Sequence, residues 1–548
     1  MRLLDWVSLV LTLAALVGYG LYRSRGSKSV SDFFLAGRSM PWYAMGLSIM
    51  ATQASAITFI STTGQAYVDG MRFVQFYFGL PVAMVILSAT AVPIFARAKV
   101  FTAYEYLEQR FDAKTRALGS AIFLIQRGLG VGVAIAAPSI VLSVIFGWDD
   151  RITTLVIGLV IILYTTFGGI LAITWADVLQ MSVIFCALIF ALVMILSLLP
   201  PGISLLGAVR LAGAAGRLNA IDFHFDWNNR YNVWSGLIGG TFLSLSYFGT
   251  DQSQVQRYLT GKSVAQSKLG LLFNGMAKVP LQFFILFVGA MVFVFYLFEA
   301  PPALFQKPAL EKARQSAAWP EAESRYRDAF TQRRDAAFAV AKSGTAIPAF
   351  RKAQQNFDIA RQQAIQIAEQ SQGGTTYNDT NYVFLSFVTR HLPVGLVGLI
   401  IAVIFAAAIS SSSGEINSLA TVSVIDIYKR HFRPAATDAH YLTVSRVVTA
   451  FWGLYAMFFA QYGKNLGSLV EVVNLVGSLF YGSLLGVFAL AFFTTRITGT
   501  AAFWGMIAGE AAIFGAFLFT NISFLWYNVI GSVVVILTAA VFPKQQRV

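Results

Sequence analysis

An all-α, polytopic membrane protein is the fold class predicted by three features of the sequence. Hydrophobic residues make up 57% of the 548 and charged residues only 12%, where a soluble chain carries about 25% charged. Apolar runs long enough to cross a bilayer as helix, roughly 20 residues, recur from end to end, and the mean hydropathy is +0.65. Basic residues gather in alternate short connectors, as the positive-inside rule requires. A membrane barrel is excluded, because barrel strands alternate in hydrophobicity over ~10 residues and these runs are continuously apolar.

Thirteen spans follow in order: 5–22, 43–65, 74–96, 118–146, 152–170, 176–199, 234–257, 270–298, 393–424, 440–463, 467–493, 498–520 and 523–542. The first is read as a retained helix, since a signal peptide carries its positive charges before the apolar run and "YRSRGSK" comes after it. With the N-terminus outside, the cytoplasmic connectors hold "YRSRGSK", "RAK…EQRFDAKTR", "QRYLTGKSVAQSK", "YKRHFRP", "TTR" and the terminal "KQQR". Short outer connectors such as "VDGMR", "GWDDR" and "YGKN" are poorer in basic residues. The expected location is the inner cell membrane, with a cytoplasmic C-terminus. Residues 300–380, rich in Ala, Gln, Arg and Glu, interrupt the pattern and read as two or three exposed extracytoplasmic helices without chemistry of their own. Their many arginines do not oppose an outside location, because long loops translocate largely regardless of charge.

A net charge of +14 does not point to nucleic acid, since the basic residues sit in the connectors. One cysteine, Cys186, and four histidines exclude a disulfide framework and argue against a metal cluster. No nucleophile elbow or phosphate loop is present in the sequence, so an enzyme is not expected.

Function is sought where polarity is expensive. Ionisable residues inside spans are functional-site hypotheses by default, and the deepest are Asp177, Lys278, Glu415, Glu471 and Glu510, with Asp251 near a span end. The sharpest anomaly is "SSSSGEINS", Ser410–Ser418, flanked on both sides by apolar chain. On a helix Ser410 and Ser413 share a face with Ser411 beside it, so their hydroxyls can converge; alternatively they pack helices or bond their own preceding carbonyls. Span 2, "GLSIMATQASAITFISTTGQAY", is poor in large apolar residues, which suits close packing or a locally unwound helix whose carbonyls coordinate Na⁺.

The stretches "SDFFLAGRSMPWYAMGLSIMATQASAITFISTTGQAY", "GGILAITWADVLQ", "QRYLTGKS" and "AAAISSSSGEINSLATVSVIDIYKR" resemble the sodium/solute symporter family over nearly the whole chain except 300–380. The resemblance implies a LeuT-like core of two inverted five-helix repeats, 43–199 and 234–493, joined by an outer connector at 200–233. One helix and its connector, 1–42, precede the core, and two helices with a tail, 494–548, follow it. It also implies alternating access, with Na⁺ as coupling ion. The family's main Na⁺ site then falls on carbonyls of Ala51, Ala54 and Ala407 and hydroxyls of Ser410 and Ser411. A second cation site of some members falls on Asp177, Ser410, Ser413 and Gly414, where glycine removes one hydroxyl.

The same resemblance places the solute near Gln53, Thr58, Tyr77, Ser244 and Lys278, with Tyr247 as inner gate. The hexose carriers have Asn, Gln, Glu and Asn where Gln53, Thr58, Tyr77 and Ser244 stand, and only Lys278 keeps their residue type. Each unmet buried polar group costs roughly 1–3 kcal/mol, so a small organic acid, amino acid or related metabolite is preferred over hexose. Lys278 has two readings: it faces an anionic solute, or it pairs with Asp177 when the cation site is empty. The chain is expected to work as a monomer in the lipid bilayer. A proton-coupled carrier of the same fold and a transporter-like solute sensor are the alternatives.

Overall fold

In a bilayer every backbone polar group must find its partner within the protein, and this chain meets that demand with helices. The computed structural model describes residues 2–24, 29–147, 149–344, 346–374, 376–463 and 468–542. Parts of four expected connectors, at 25–28, 148, 464–467 and the terminal "KQQR", lie outside the described residues. Among the described residues nine helices are long and apolar enough to cross a membrane. Regular helices cover Leu3–Arg23, Ala113–Phe146, Val264–Phe298, Leu396–Val422, Asp438–Gly463, Leu469–Phe493, Gly499–Phe519 and Leu525–Val541.

Other segments are interrupted, and the interruptions position the site. The first broken helix runs Trp42–Gln53, stops at Ala54 (φ −87°, ψ 51°) and resumes through a wide turn, Thr58–Thr62, into Thr63–Asp69. The Thr58 hydroxyl donates to the Gln53 carbonyl at 2.7 Å and supplies part of what the lost helical bonds would have given. The second broken helix runs Gly240–Gly249, opens at Thr250 (φ −130°), and restarts as Gln252–Leu259 with Asp251 as its N-cap. Residues 74–96, expected as one span, form a tight turn, Gly70–Tyr77, followed by Leu80–Ala89 and Ala91–Ala98. The two spans expected at 152–170 and 176–199 lie in one stretch, Asp150–Ser197, divided at Gly169. There φ is +59°, and a Cβ would stand 2.9 Å from both the ring and the carbonyl of Phe33, so glycine is what lets the chain turn.

A short helix, Ala103–Arg110, and the residues flanking it tie the break of the second broken helix to the turn that follows the Leu396–Val422 helix. Tyr104 donates its hydroxyl to the Thr250 carbonyl at 2.8 Å, and the Ala103 amide donates to the Gln252 side chain at 2.9 Å. Thr102 donates to Asp426 at 2.8 Å, and Arg116 bridges Asp426 and Glu108 at 2.7 Å each. The Arg430 hydrogen bond, reinforced by Arg116, holds the Glu108 carboxyl down at about 2.

The 300–380 segment holds three helices, Lys307–Ala313, Trp319–Ser343 and Ile347–Ser371. They enclose a small core that includes Trp319, Tyr326 and Phe357, and they are docked rather than merely solvated. Arg333 stacks 3.5 Å over Phe357 and donates to the Tyr296 carbonyl at 2.7 Å. Asp379 accepts from Arg361 at 2.7 Å and from the Phe305 amide at 3.0 Å, while Phe305 packs against Tyr67 and Tyr296.

Arg116→Met removes the cation from a fully buried Asp426. Breaking a buried pair from one side costs about 3–5 kcal/mol, so the variant's unfolding temperature in detergent should fall clearly below that of the parent.

Candidate functional site

A cavity of about 90 Å³ lies between the first helix break and the helix leading into the second. Gln53, Ser55 and Thr58 line it from the first break, Ser244 and Tyr247 from the helix leading into the second, and Tyr77 from the turn between. The solute residues expected from the sequence are therefore brought together, apart from Lys278. That side chain is fully buried behind the wall, its ammonium 5.6 Å from the Tyr77 ring centroid, with no hydrogen-bond partner among the described residues.

Ala51, Ala54, Ala407, Ser410 and Ser411 are all buried. The last four carbonyls of a helix have no intrahelical donor, and at the Ala54 stop these belong to the segment holding Ala51 and Ala54. They are neutral, hard oxygens, the type a monovalent hard cation takes, and the serine hydroxyls are of the same type. Ser411 donates to the Ala407 carbonyl at 2.8 Å, the ordinary back-bond of a helical serine. Ser410 instead donates to Asp177.

Asp177 departs from expectation. Its carboxylate accepts from Ser48 at 2.5 Å, from Ser410, and from Arg257 at 2.8 Å. Lys278 is not its partner, which corrects the pairing considered from the sequence. The expected second cation site lies beside this pair. Arg257, only 1% exposed, lies against Gly414, where a Cβ would stand 2.4 Å from its guanidinium nitrogen. Ser413, expected as a ligand there, is buried with its hydroxyl unpartnered among the described residues. The glycine that removes a hydroxyl from that site is the glycine that admits the arginine.

A second cluster joins Glu415 and Asp251, two acids singled out in the sequence, to Arg127 and Tyr481, which were not. Arg127 and Glu415 line the cavity together with Tyr481. Arg127 donates to Glu415 at 3.1 Å, to Tyr481 at 2.7 Å and to Asp251, and the Tyr481 hydroxyl donates to Asp251 at 2.8 Å. Asp251 also caps the second break, accepting the Ser253 amide at 2.8 Å. One guanidinium thus joins the Ala113–Phe146 helix, the break and the serine helix. The remaining intraspan acids have local roles: Glu471 holds Arg230 at 2.7 Å and Tyr231 at 2.5 Å, and Glu510 accepts from Ser483 at 2.8 Å.

Helices interrupted at a buried polar cavity define a polytopic membrane transporter, and comparison with known proteins gives the family. The chain matches the sodium:solute symporter family over residues 33–315 and 359–509, and it belongs to that family. It is 28% identical to the sodium/sialic acid symporter of Aliivibrio fischeri, over 99% of this chain and 94% of that one. It is 27% identical to the human sodium-coupled monocarboxylate transporter 1, over 92% and 71%. A solved structure of a Na⁺-coupled sialic acid symporter, 25% identical, superposes over the whole of both chains with a TM-score of 0.76. The protein is a multi-pass membrane symporter that couples Na⁺ to a small polar solute.

The Asp177–Arg257 pairing is tested by double-mutant cycles on thermal stability in detergent. Coupling between Asp177→Asn and Arg257→Gln should exceed about 1 kcal/mol, while coupling between Asp177→Asn and Lys278→Met should stay within about 0.5 kcal/mol.

Proposed function

We propose that the protein drives a small organic acid, amino acid or related metabolite inward across the cell membrane with Na⁺, by alternating access around the central cavity. The observation that carries this reading is one cavity lined by the break of the first interrupted helix and by the helix that leads into the second break, with polar side chains from both. Na⁺ binds the carbonyls of Ala51, Ala54 and Ala407 and the hydroxyls of Ser410 and Ser411. One Na⁺ moves per cycle, because Arg257 supplies the positive charge that Asp177 would otherwise take from a second ion.

The same reading gives thirteen crossings, inverted repeats at 43–199 and 234–493, an outside N-terminus and a 300–380 segment on the outer face. The carrier works as a monomer. Hexose is disfavoured because Gln53, Thr58, Tyr77 and Ser244 replace the partners that hexose carriers offer to sugar hydroxyls.

Ser410→Ala and Ser411→Ala should each raise the Na⁺ concentration for half-maximal uptake by about tenfold in proteoliposomes, equivalent to about 1.4 kcal/mol per lost ligand. Uptake that ignores a Na⁺ gradient but follows a proton gradient would overturn the choice of ion.

A further inference from the structure

Glu415, the acid of the serine stretch, has no part in the Na⁺ site, yet it faces the solute. It lines the cavity, is 7% exposed, and gives one oxygen to Arg127 at 3.1 Å. Its other oxygen, Oε2, has no partner among the described residues. Arg127 is also bound by Asp251, whose remaining partners, Ser253 and Tyr481, are neutral. Two buried carboxylates therefore share a single guanidinium. The adjacent Arg257 does not redress this, because its charge is matched by Asp177.

Another unpaired group lies behind the cavity wall at Tyr77. Lys278 stands behind Tyr77 without a carboxylate partner among the described residues. The cavity thus has an unpartnered carboxyl oxygen at Glu415, and an unpartnered lysine nitrogen lies behind Tyr77. A polar group left unpaired in a low-dielectric interior is costly, so a solute that brings a donor to Glu415 and carries an acid at its other end is favoured.

We propose that the solute is a zwitterion bearing an amino group, with its ammonium donating to Glu415 Oε2 and its acid end turned toward the Tyr77–Lys278 side. This rests on the cavity being the solute site and narrows the solute class to amino acids and their close relatives. Gln254 steadies the neighbouring gate by donating to the Tyr247 hydroxyl at 2.7 Å, and Glu415 is the cavity-lining acid with an unpartnered oxygen among the described residues.

The test uses the purified full chain in detergent with saturating Na⁺. L-amino acids are each set beside the 2-hydroxy acid of the same skeleton, and binding is read by thermal shift. One or more amino acids should bind while their hydroxy counterparts do not. Glu415→Gln should weaken that binding at least tenfold, with the Na⁺-induced shift of the solute-free protein unchanged, and Glu415→Asp should recover part of the loss. A hydroxy acid that binds as well as its amino counterpart would overturn the proposal. So would undiminished binding to Glu415→Gln, which is how a permanently protonated Glu415 would behave, or a panel in which Na⁺ shifts the melting curve and no amino acid does. Loss of the Na⁺ response in the parent protein strikes the symport reading itself, and the proposal falls with it.

Discussion

A carboxylate buried away from water has to be neutralised in place, and Asp177 meets that requirement through Arg257. Much of the inner architecture follows from this pair. Ser48 brings in the first broken helix ahead of its stop, Ser410 brings in the serine helix, and Arg257 brings in the end of the second broken helix. Four parts of the chain are held at one point by charge-assisted bonds. Gly414 is the sequence's concession to that arrangement, because a side chain there would collide with the guanidinium.

The second ionic cluster works on a different footing. Arg127 is shared by two acids, and it lies on the cavity wall rather than behind it. The first pair is saturated and built for holding elements together; the second is unsaturated and open to what enters the cavity. The helix breaks create the difference. They place Asp251 at a helix start, where its carboxylate caps the backbone as well as binding Arg127.

The sequence made the helical class, the weak point in span 2 and the serine face legible because each is a compositional anomaly spread over many residues. Gln53, Thr58, Tyr77, Ser244 and Tyr247 were reached through a family resemblance, and they come together at the cavity. Arg127, Tyr481 and Asn474 line the same cavity but were not reached. Each is a single polar residue in an apolar helix, and periodicity does not say which helix it faces. A count of charges was the signal available for Arg127, since a lone arginine amid an apolar run is costly enough to need a partner. Lys278 shows the converse limit: residue type suggested contact with solute, and only packing reveals the tyrosine ring between them. The interruption at Gly169 was displaced in the sequence reading because a positive φ at one glycine needs no run of turn residues.

The proposed replacement of a second ion by a tethered arginine has a consequence for how steep a solute gradient the carrier can sustain. With the single Na⁺ per cycle proposed here, a tenfold Na⁺ gradient supplies about 1.4 kcal/mol, and each 100 mV of membrane potential adds about 2.3 kcal/mol. The total of roughly 3.7 kcal/mol supports about a 500-fold accumulation of a solute without net charge. A two-ion carrier could square that ratio, at the expense of spending twice as much Na⁺ on every molecule gathered. Arg257 therefore fits a carrier suited to a nutrient that is moderately scarce and needed in quantity, rather than one scavenged from traces.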